Sequence, residues 1–245
     1  GSNPSLSAII LYNNFEMKLK QEASDKLFSR AKELIPGGIF GHYKYAVREE
    51  GPKFFSKAKD AYFWDVDGNK YVDLICGWGP MILGYNNPII DKVAQSQYSS
   101  GNTVSIASPV MIDLAETLVD MVDIADWALF GKNGGDSTQL AVMISREETG
   151  RKKVLKITGG YHGANGWMQD KGSAGTIDSD SAEVISIPWN SIEDFDSAIS
   201  NFGDEIACFI SSPYDHPTSK DSSLPNKGYW EPVSYTHLRA HETRH

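Results

Sequence analysis

Residues 132–138, Lys-Asn-Gly-Gly-Asp-Ser-Thr, stand between an apolar run ending at Phe130 and an amphipathic stretch, QLAVMISREETGR, over 139–151. Glycines where a strand turns into a helix can take positive φ and let the backbone approach a ligand, and the unfilled N–H groups and dipole of the helix start favour an anion. The segment reads either as a phosphate cradle at Gly134 and Gly135 or as a turn capped by Asp136 or Ser137, the commoner use of such residues. A second loop, Gly159-Gly160-Tyr161-His162-Gly163, sets an aromatic ring and an imidazole among glycines. A third group, His237, His241 and His245, has i, i+4, i+8 spacing that on a helix would mimic a metal site. That stretch, SYTHLRAHETR, resembles a translated sequencing adapter, so residues 234–245 are read as an artefactual tail with no metal chemistry and no part in the fold.

The composition is that of a globular protein: 245 residues, 40% hydrophobic and 22% charged, enough for one large domain or two small ones. A net charge of −9 and a pI near 5.1 argue against nucleic-acid or anionic-membrane partners, which are held through clustered Lys and Arg. A bound phosphate is therefore expected to be small and locally held. Cys76 and Cys208 lie far apart, each in an apolar segment, and read as buried thiols rather than a disulfide framework. The apolar patch Ala8 to Tyr12 lacks a basic flank and is too short for a signal peptide or a membrane span. These features point to a soluble cytoplasmic protein.

The elements that must position the loops follow from punctuation. Residues 21–35 have helical spacing and stop at Pro36-Gly37-Gly38; AYFWDVDGNKYVDL reads as two strands joined around Asp67-Gly68. Asn87-Pro88 and Ser108-Pro109 each combine an N-cap with proline at the first helical position, predicting helices to about Tyr98 and about Val122. Then strands and helices alternate: WALFG a strand, DSTQLAVMISREETG a helix, KVLKI and EVISIP strands, SIEDFDSAISNFG a helix, IACFIS a strand. Such alternation predicts an α/β fold with a parallel sheet, and ligands bind at the carboxyl ends of its strands. The 132–138 stretch lies at one such end.

In this order, from about Ala23 to about Trp230, the segments IPGG (35–38), WDVDGNKYVDL (64–74), GWGPMILG (77–84), TGRKKVLKITGGYHG (149–163) and, in altered form, KNGGDS (132–137) resemble the class III aminotransferases, most closely their glutamate-1-semialdehyde aminomutase branch. The resemblance implies an incomplete fold-type I architecture, pyridoxal 5'-phosphate as cofactor, a small-molecule amino donor and acceptor, and a homodimeric parent. It divides the chain into a non-native or disordered leader over 1–16 with Met17 as natural start, a helix-and-hairpin segment over 17–84, and part of the large cofactor-binding domain over 85–233, followed by the tail. The family's Asn-Ser-Gly-Thr-Glu-Ala phosphate loop falls on residues 132–137, which places Gly134 and Gly135 where backbone amides hold the phosphate. Asn133 replaces the family's serine and Gly135 its threonine, which removes a side-chain hydroxyl from the cradle. Tyr161 falls where the family stacks an aromatic on the cofactor ring. His162 follows it, either as a cofactor-bed residue or as a histidine satisfied within its loop. On the substrate side, Lys44 stands near the position of a carboxylate-binding arginine, as a point charge without the bidentate fork or as a solvated lysine. Trp78 matches an aromatic at the active-site mouth and equally suits core packing.

In such enzymes a lysine forms the internal aldimine and an aspartate pairs with the pyridinium nitrogen, so that the cofactor serves as electron sink. Both follow the strand matched here by IACFIS. Lys220 and Lys227 lie too close to that strand to be the lysine, and Asp215 is not the pyridinium partner, so the chain is expected to be catalytically inactive by itself. Two readings from other classes stand beside this one. A nucleotide-binding dehydrogenase-like domain requires a spaced three-glycine fingerprint that NGGD lacks, and a non-catalytic α/β interaction domain requires no cofactor at all.

Overall fold

The computed structural model describes residues 19–39, 51–215 and 221–232; Lys44, Lys220, the leader and the histidine-rich tail lie outside them. The chain forms two compact units, Leu6–Ala107 and a second that begins at Ser108. The first holds α1 (Glu22–Leu34), β1 (Phe55–Lys59), β2 (Tyr62–Asp65), β3 (Lys70–Val72) and α2 (Pro88–Ser100). The second holds α3 (Pro109–Met121), α4 (Gly134–Thr149), β4 (Lys153–Ile157), the short α5 (Asp178–Ser181), β5 (Val184–Ile187), α6 (Ile192–Phe202), β6 (Ile206–Ile210) and the short α7 (Trp230–Pro232).

In the first unit the three strands form an antiparallel meander in the order β1-β2-β3. Asp65 organises its turn: one carboxylate oxygen accepts from the N–H groups of Asp67 (3.0 Å) and Asn69 (2.8 Å), the other from the Asn69 amide (2.7 Å) and the Tyr71 hydroxyl (2.9 Å). The turn's second acid reaches outward. Asp67 accepts from Ala23 N–H (2.7 Å) and Ser24 N–H (2.8 Å), in the first turn of α1, whose own N-cap Gln21 makes no side-chain cap bond. The hairpin thereby supplies a helix cap from a distant part of the chain. Burial works to raise the Asp67 carboxyl's pKa, yet donors at Ser24 and Ala23 hold it below the usual carboxylate range. A depressed carboxyl stabilises the fold above its unfolded pKa and loses that contribution as pH falls through its folded value, so the cap on α1 is lost only as pH falls below the ordinary carboxylate range. Asp67→Ala is expected to lower the stability of this unit by about 1 kcal/mol, the usual effect of removing a cap, measured by urea denaturation; an unchanged midpoint would show that the cap is idle.

In the second unit the sheet is parallel with order β5-β4-β6, so α6 carries the chain from one edge to the other past the central strand. Each face has its helix. Leu155 pairs with Phe209, whose ring meets Phe195 of α6 at 5.4 Å edge to face, and Leu155, Ile157, Ile187, Phe195, Ala198 and Ile206 form the core there. Val154 pairs with Cys208, whose thiol meets Ser145 of α4, so α4 covers the opposite face. Burial pushes the Cys208 thiol up, with Ser145 and Arg146 opposing. Both cysteines are free and half-buried.

The longer elements of the second unit alternate as the sequence predicts, β1 and the short α5 are additions to that prediction, and three readings differ. Asn133, not Asp136 or Ser137, caps α4. Ser108 precedes α3 in extended conformation but makes no side-chain cap bond. The segment WALFG is not a strand, because a strand exists only by pairing and none of the described strands pairs with it. Among the described residues no helix is long and apolar enough to cross a membrane.

Candidate functional site

The site grows from the start of α4. Asn133 is extended, and its side-chain oxygen accepts from Asp136 N–H at 2.9 Å while its carbonyl accepts from Ser137 N–H at 3.2 Å. The cap therefore takes the third and fourth N–H groups of the helix and leaves those of Gly134 and Gly135, the first two, directed away from the helix with the positive end of its dipole. Neither glycine has a positive φ. The expectation that they serve a left-handed turn is thus corrected: they are helical, and what they contribute is the absence of side chains. Around Gly134 a Cβ would meet nothing within 4 Å, and at Gly135 it would lie 3.2 Å from the Asn133 side-chain oxygen and 3.5 Å from Gly163 Cα. Asp136, the one acid of the first turn, has a carboxylate oxygen 3.0 Å from the Asn133 amide nitrogen.

The second wall is the loop that leaves β4. It carries Tyr161, with 64% of its surface exposed, and His162, only 7% exposed and packed inside the loop, where a Cβ on Gly160 would lie 3.1 Å from its Nε2. Gly163, at φ +136°, faces Gly135 so closely that a Cβ on it would stand 2.9 Å from Gly135 Cα and 2.5 Å from Met168 Sδ. Here both backbone angle and space require glycine. Side chains complete the seam: the Thr138 hydroxyl lies 2.6 Å from His162 O and 3.0 Å from Gly135 O, and Gln139 Oε1 accepts from Trp167 Nε1 (2.6 Å) and Asn165 Nδ2 (3.0 Å). Gln169 donates to Gly163 O at 3.0 Å. Gly134, Gly135, Tyr161 and His162 thus belong to one constellation.

Beneath the loop sits Lys156, fully buried in the central strand. Its Nζ donates to Asp170 Oδ1 at 2.8 Å and to Met168 O at 3.2 Å, and Asp170 Oδ2 accepts from Gly159 N–H at 2.9 Å. Burial acts to raise the Asp170 carboxyl's pKa, but the Lys156 ammonium and the Gly159 N–H hold it below the usual carboxylate range. Sequence reasoning missed Thr138, Gln139, Gly163, Lys156 and Asp170. The one available signal was a lysine inside KVLKI, where a parallel strand covered on both faces should be apolar throughout.

Trp78 lies in the other unit, 68% exposed, on a run of four residues with positive φ: Cys76 at 53°, Gly77 at 59°, Trp78 at 68° and Gly79 at 111°. Two of these are not glycine, and such conformations persist only where the surroundings impose them. Asp73 imposes this one: it accepts from Ile75 N–H (2.8 Å), Cys76 N–H (3.2 Å) and the Tyr85 hydroxyl. Its hydrogen bond, with burial added, leaves the Tyr85 phenol pushed up to about 12. Trp78 is therefore a presented aromatic rather than a core residue. Among the described residues no group of His, Cys, Asp and Glu could hold a metal ion.

The sequence model of class III aminotransferases matches residues 45–208. An aminopentol aminotransferase of Sphingopyxis macrogoltabida is 38% identical over 81% of this chain and 47% of its own length, and a glutamate-1-semialdehyde 2,1-aminomutase of Methanocaldococcus jannaschii is 34% identical over 88% and 52%. The solved structure of the FumI protein of Sphingopyxis sp. MTA144, in its PLP internal aldimine form, superposes with a TM-score of 0.79 at 36% identity, over 84% of this chain and 50% of that one. The chain spans about half the length of the curated relatives it matches. The α4 cradle and the tyrosine loop at the end of β4 stand on a fold shared with enzymes of one cofactor, and the chain belongs to the class III aminotransferases, fold-type I enzymes that depend on pyridoxal phosphate.

Proposed function

We propose that these residues form the phosphate-and-ring half of an amino-group transferase site, of the aminotransferase or aminomutase kind. The observation that carries the reading is the pair of uncommitted N–H groups at Gly134 and Gly135, held against the Tyr161 loop by the Gly135–Gly163 contact. They fit a phosphate: the helix start offers donors and dipole, and no Cβ obstructs the approach. Gly134 and Gly135 bind the phosphate, Tyr161 lays its exposed ring against the cofactor ring, and His162, buried under that tyrosine's loop, supports it from within. When bound, pyridoxal phosphate supplies the electron sink that makes the proton beside an amine acidic. Lys44, which lies outside the described residues, serves a substrate anion, and Trp78 screens the substrate's apolar part. In the intact protein two copies pair as a homodimer, a reading supported by the apolar surface of α3, none of whose residues is buried. A cytoplasmic location is the corresponding proposal for the cell.

The finer proposal is that the 245-residue chain does not transaminate. The lysine that general base work requires is not supplied by Lys156, the buried one at this site, because its ammonium is committed to Asp170 and Met168 O. Lys227 lies exposed beyond β6. Incubation of the purified chain with a panel of amines, a keto-acid acceptor and pyridoxal phosphate is expected to give no more product than free cofactor does. Turnover above that background would overturn the proposal.

A further inference from the structure

A lysine in the middle of a parallel strand is an expensive choice. Lys156 has 0% of its surface exposed, on the β4 face covered by α4, with Ser186 of β5 and Ile210 of β6 as its strand neighbours. Taking an ammonium out of water costs several kcal/mol, and an apolar residue of similar volume is commonly as stable or more so. The ion pair is thus a poor device for holding the sheet together. Its geometry points elsewhere. Asp170 is bidentate across two places: Oδ1 meets Lys156 in the sheet floor, and Oδ2 meets Gly159 N–H at the beginning of the loop of which Asp170 is the end. Lys156 also holds Met168 O, and Met168 is the buried residue whose sulfur backs Gly163. One ammonium and one carboxylate therefore pin the beginning, the end and the back of the loop that carries Tyr161.

We infer that Lys156 and Asp170 are positioning residues for the cofactor ring: their ion pair ties both ends of the 159–170 loop to the sheet floor and so fixes the Tyr161 ring relative to the amides of Gly134 and Gly135. The inference rests on the reading that Tyr161 meets that ring. Both groups act through the loop and touch no phosphate, so the pair sets the ring's orientation while leaving the phosphate cradle alone. The Gly135–Gly163 contact and the Thr138 and Gln139 hydrogen bonds hold the loop's middle to α4, and the pair holds its ends. Without the pair the loop remains attached yet its Tyr161 segment is free to shift.

The test compares the 245-residue chain with Lys156→Met, Asp170→Asn, the double variant and Asp170→Glu, using pyridoxamine 5'-phosphate, which cannot condense with surface lysines. Methionine fills the buried volume without a charge and leaves only the half-exposed Asp170 unpaired, so the sheet is expected to survive in Lys156→Met and in the double variant, whereas Asp170→Asn leaves a buried ammonium without its partner and is expected to be the least stable of the set. Hydrogen exchange of the 159–170 amides is expected to quicken about tenfold in both single variants and in the double variant, with β4, β5 and β6 unchanged in Lys156→Met and in the double variant. The circular dichroism of the bound ring, which reports a fixed chiral setting, is expected to fall to less than about half, and Asp170→Glu to restore most of it. Inorganic phosphate should compete with pyridoxamine 5'-phosphate equally well in all variants. The double variant should be no worse than either single one, since both remove the same tie. Loop exchange and dichroism equal to those of the unchanged protein would overturn the inference, as would a loss of phosphate competition in parallel with dichroism, which would mark a general structural role. If the unchanged protein binds the probe with no dichroism, the reading of Tyr161 fails and the positioning role with it, while the exchange result still decides whether the pair secures the loop.

Discussion

Replacing Gly135 with valine lowers affinity for pyridoxamine 5'-phosphate by about two orders of magnitude, while the apo-protein loses only on the order of 1 to 3 kcal/mol. The backbone there is helical, so the valine is not strained by φ; the damage is crowding. Its Cβ already sits 3.2 Å from the Asn133 cap oxygen and 3.5 Å from Gly163 Cα, and its two γ-methyls have to go where the loop or the ligand stands. A companion variant separates the effects. Gly134→Ala places its methyl in open space, with nothing within 4 Å, and improves helix propensity, so the apo-protein melts no earlier. Any affinity lost by that variant is lost to the ligand's approach. Gly163→Ala, by contrast, combines a φ of +136° with a Cβ 2.5 Å from Met168 Sδ, and is expected to unsettle the fold as well as the site. Equilibrium dialysis beside thermal unfolding reads all three. Unchanged affinity in Gly135→Val with lowered apo-stability would show that the glycines serve only the contact between α4 and the loop.

The second large effect concerns assembly. In α3 the residues Val110, Met111, Ile112, Leu114, Leu118 and Met121 are all exposed, and in α2 so are Ile89, Ile90 and Val93, with no residue of either helix buried. Monomeric proteins rarely leave contiguous apolar surface of more than a few hundred square ångströms uncovered. Among the described residues the parallel sheet adds two unpaired edges, at β5 and β6, and parallel sheets are normally covered and paired throughout. The 245-residue chain is therefore expected to sediment as a species larger than a monomer, of mass increasing with concentration. A monodisperse monomer with a sharp cooperative melt would contradict this.

Much of the architecture was legible because the signals are local. Asp67-Gly68 marked the hairpin, Asn87-Pro88 the start of α2, and the apolar runs of β4, β5 and β6 alternated with helical periods as a parallel sheet requires. What was not legible depends on contacts between distant segments. WALFG has a strand's composition but no ladder. Asn133 outcompetes Asp136 for the cap because its extended backbone aims its oxygen at Asp136 N–H. Gly163 reads in sequence as one more loop glycine until Gly135 is found against it, in the seam where the Thr138 hydroxyl meets His162 O. Lys156 hides in KVLKI because a lysine in a strand usually marks a solvent face, and only burial and Asp170 reveal its work.

The central claim, that the first two N–H groups of α4 hold the cofactor phosphate, is tested most directly by hydrogen exchange at those two amides. Saturation with pyridoxamine 5'-phosphate is expected to slow exchange at Gly134 and Gly135, and pyridoxamine, which lacks the phosphate, to leave both unchanged. Equal effects of the two ligands, or no protection by either, would contradict it.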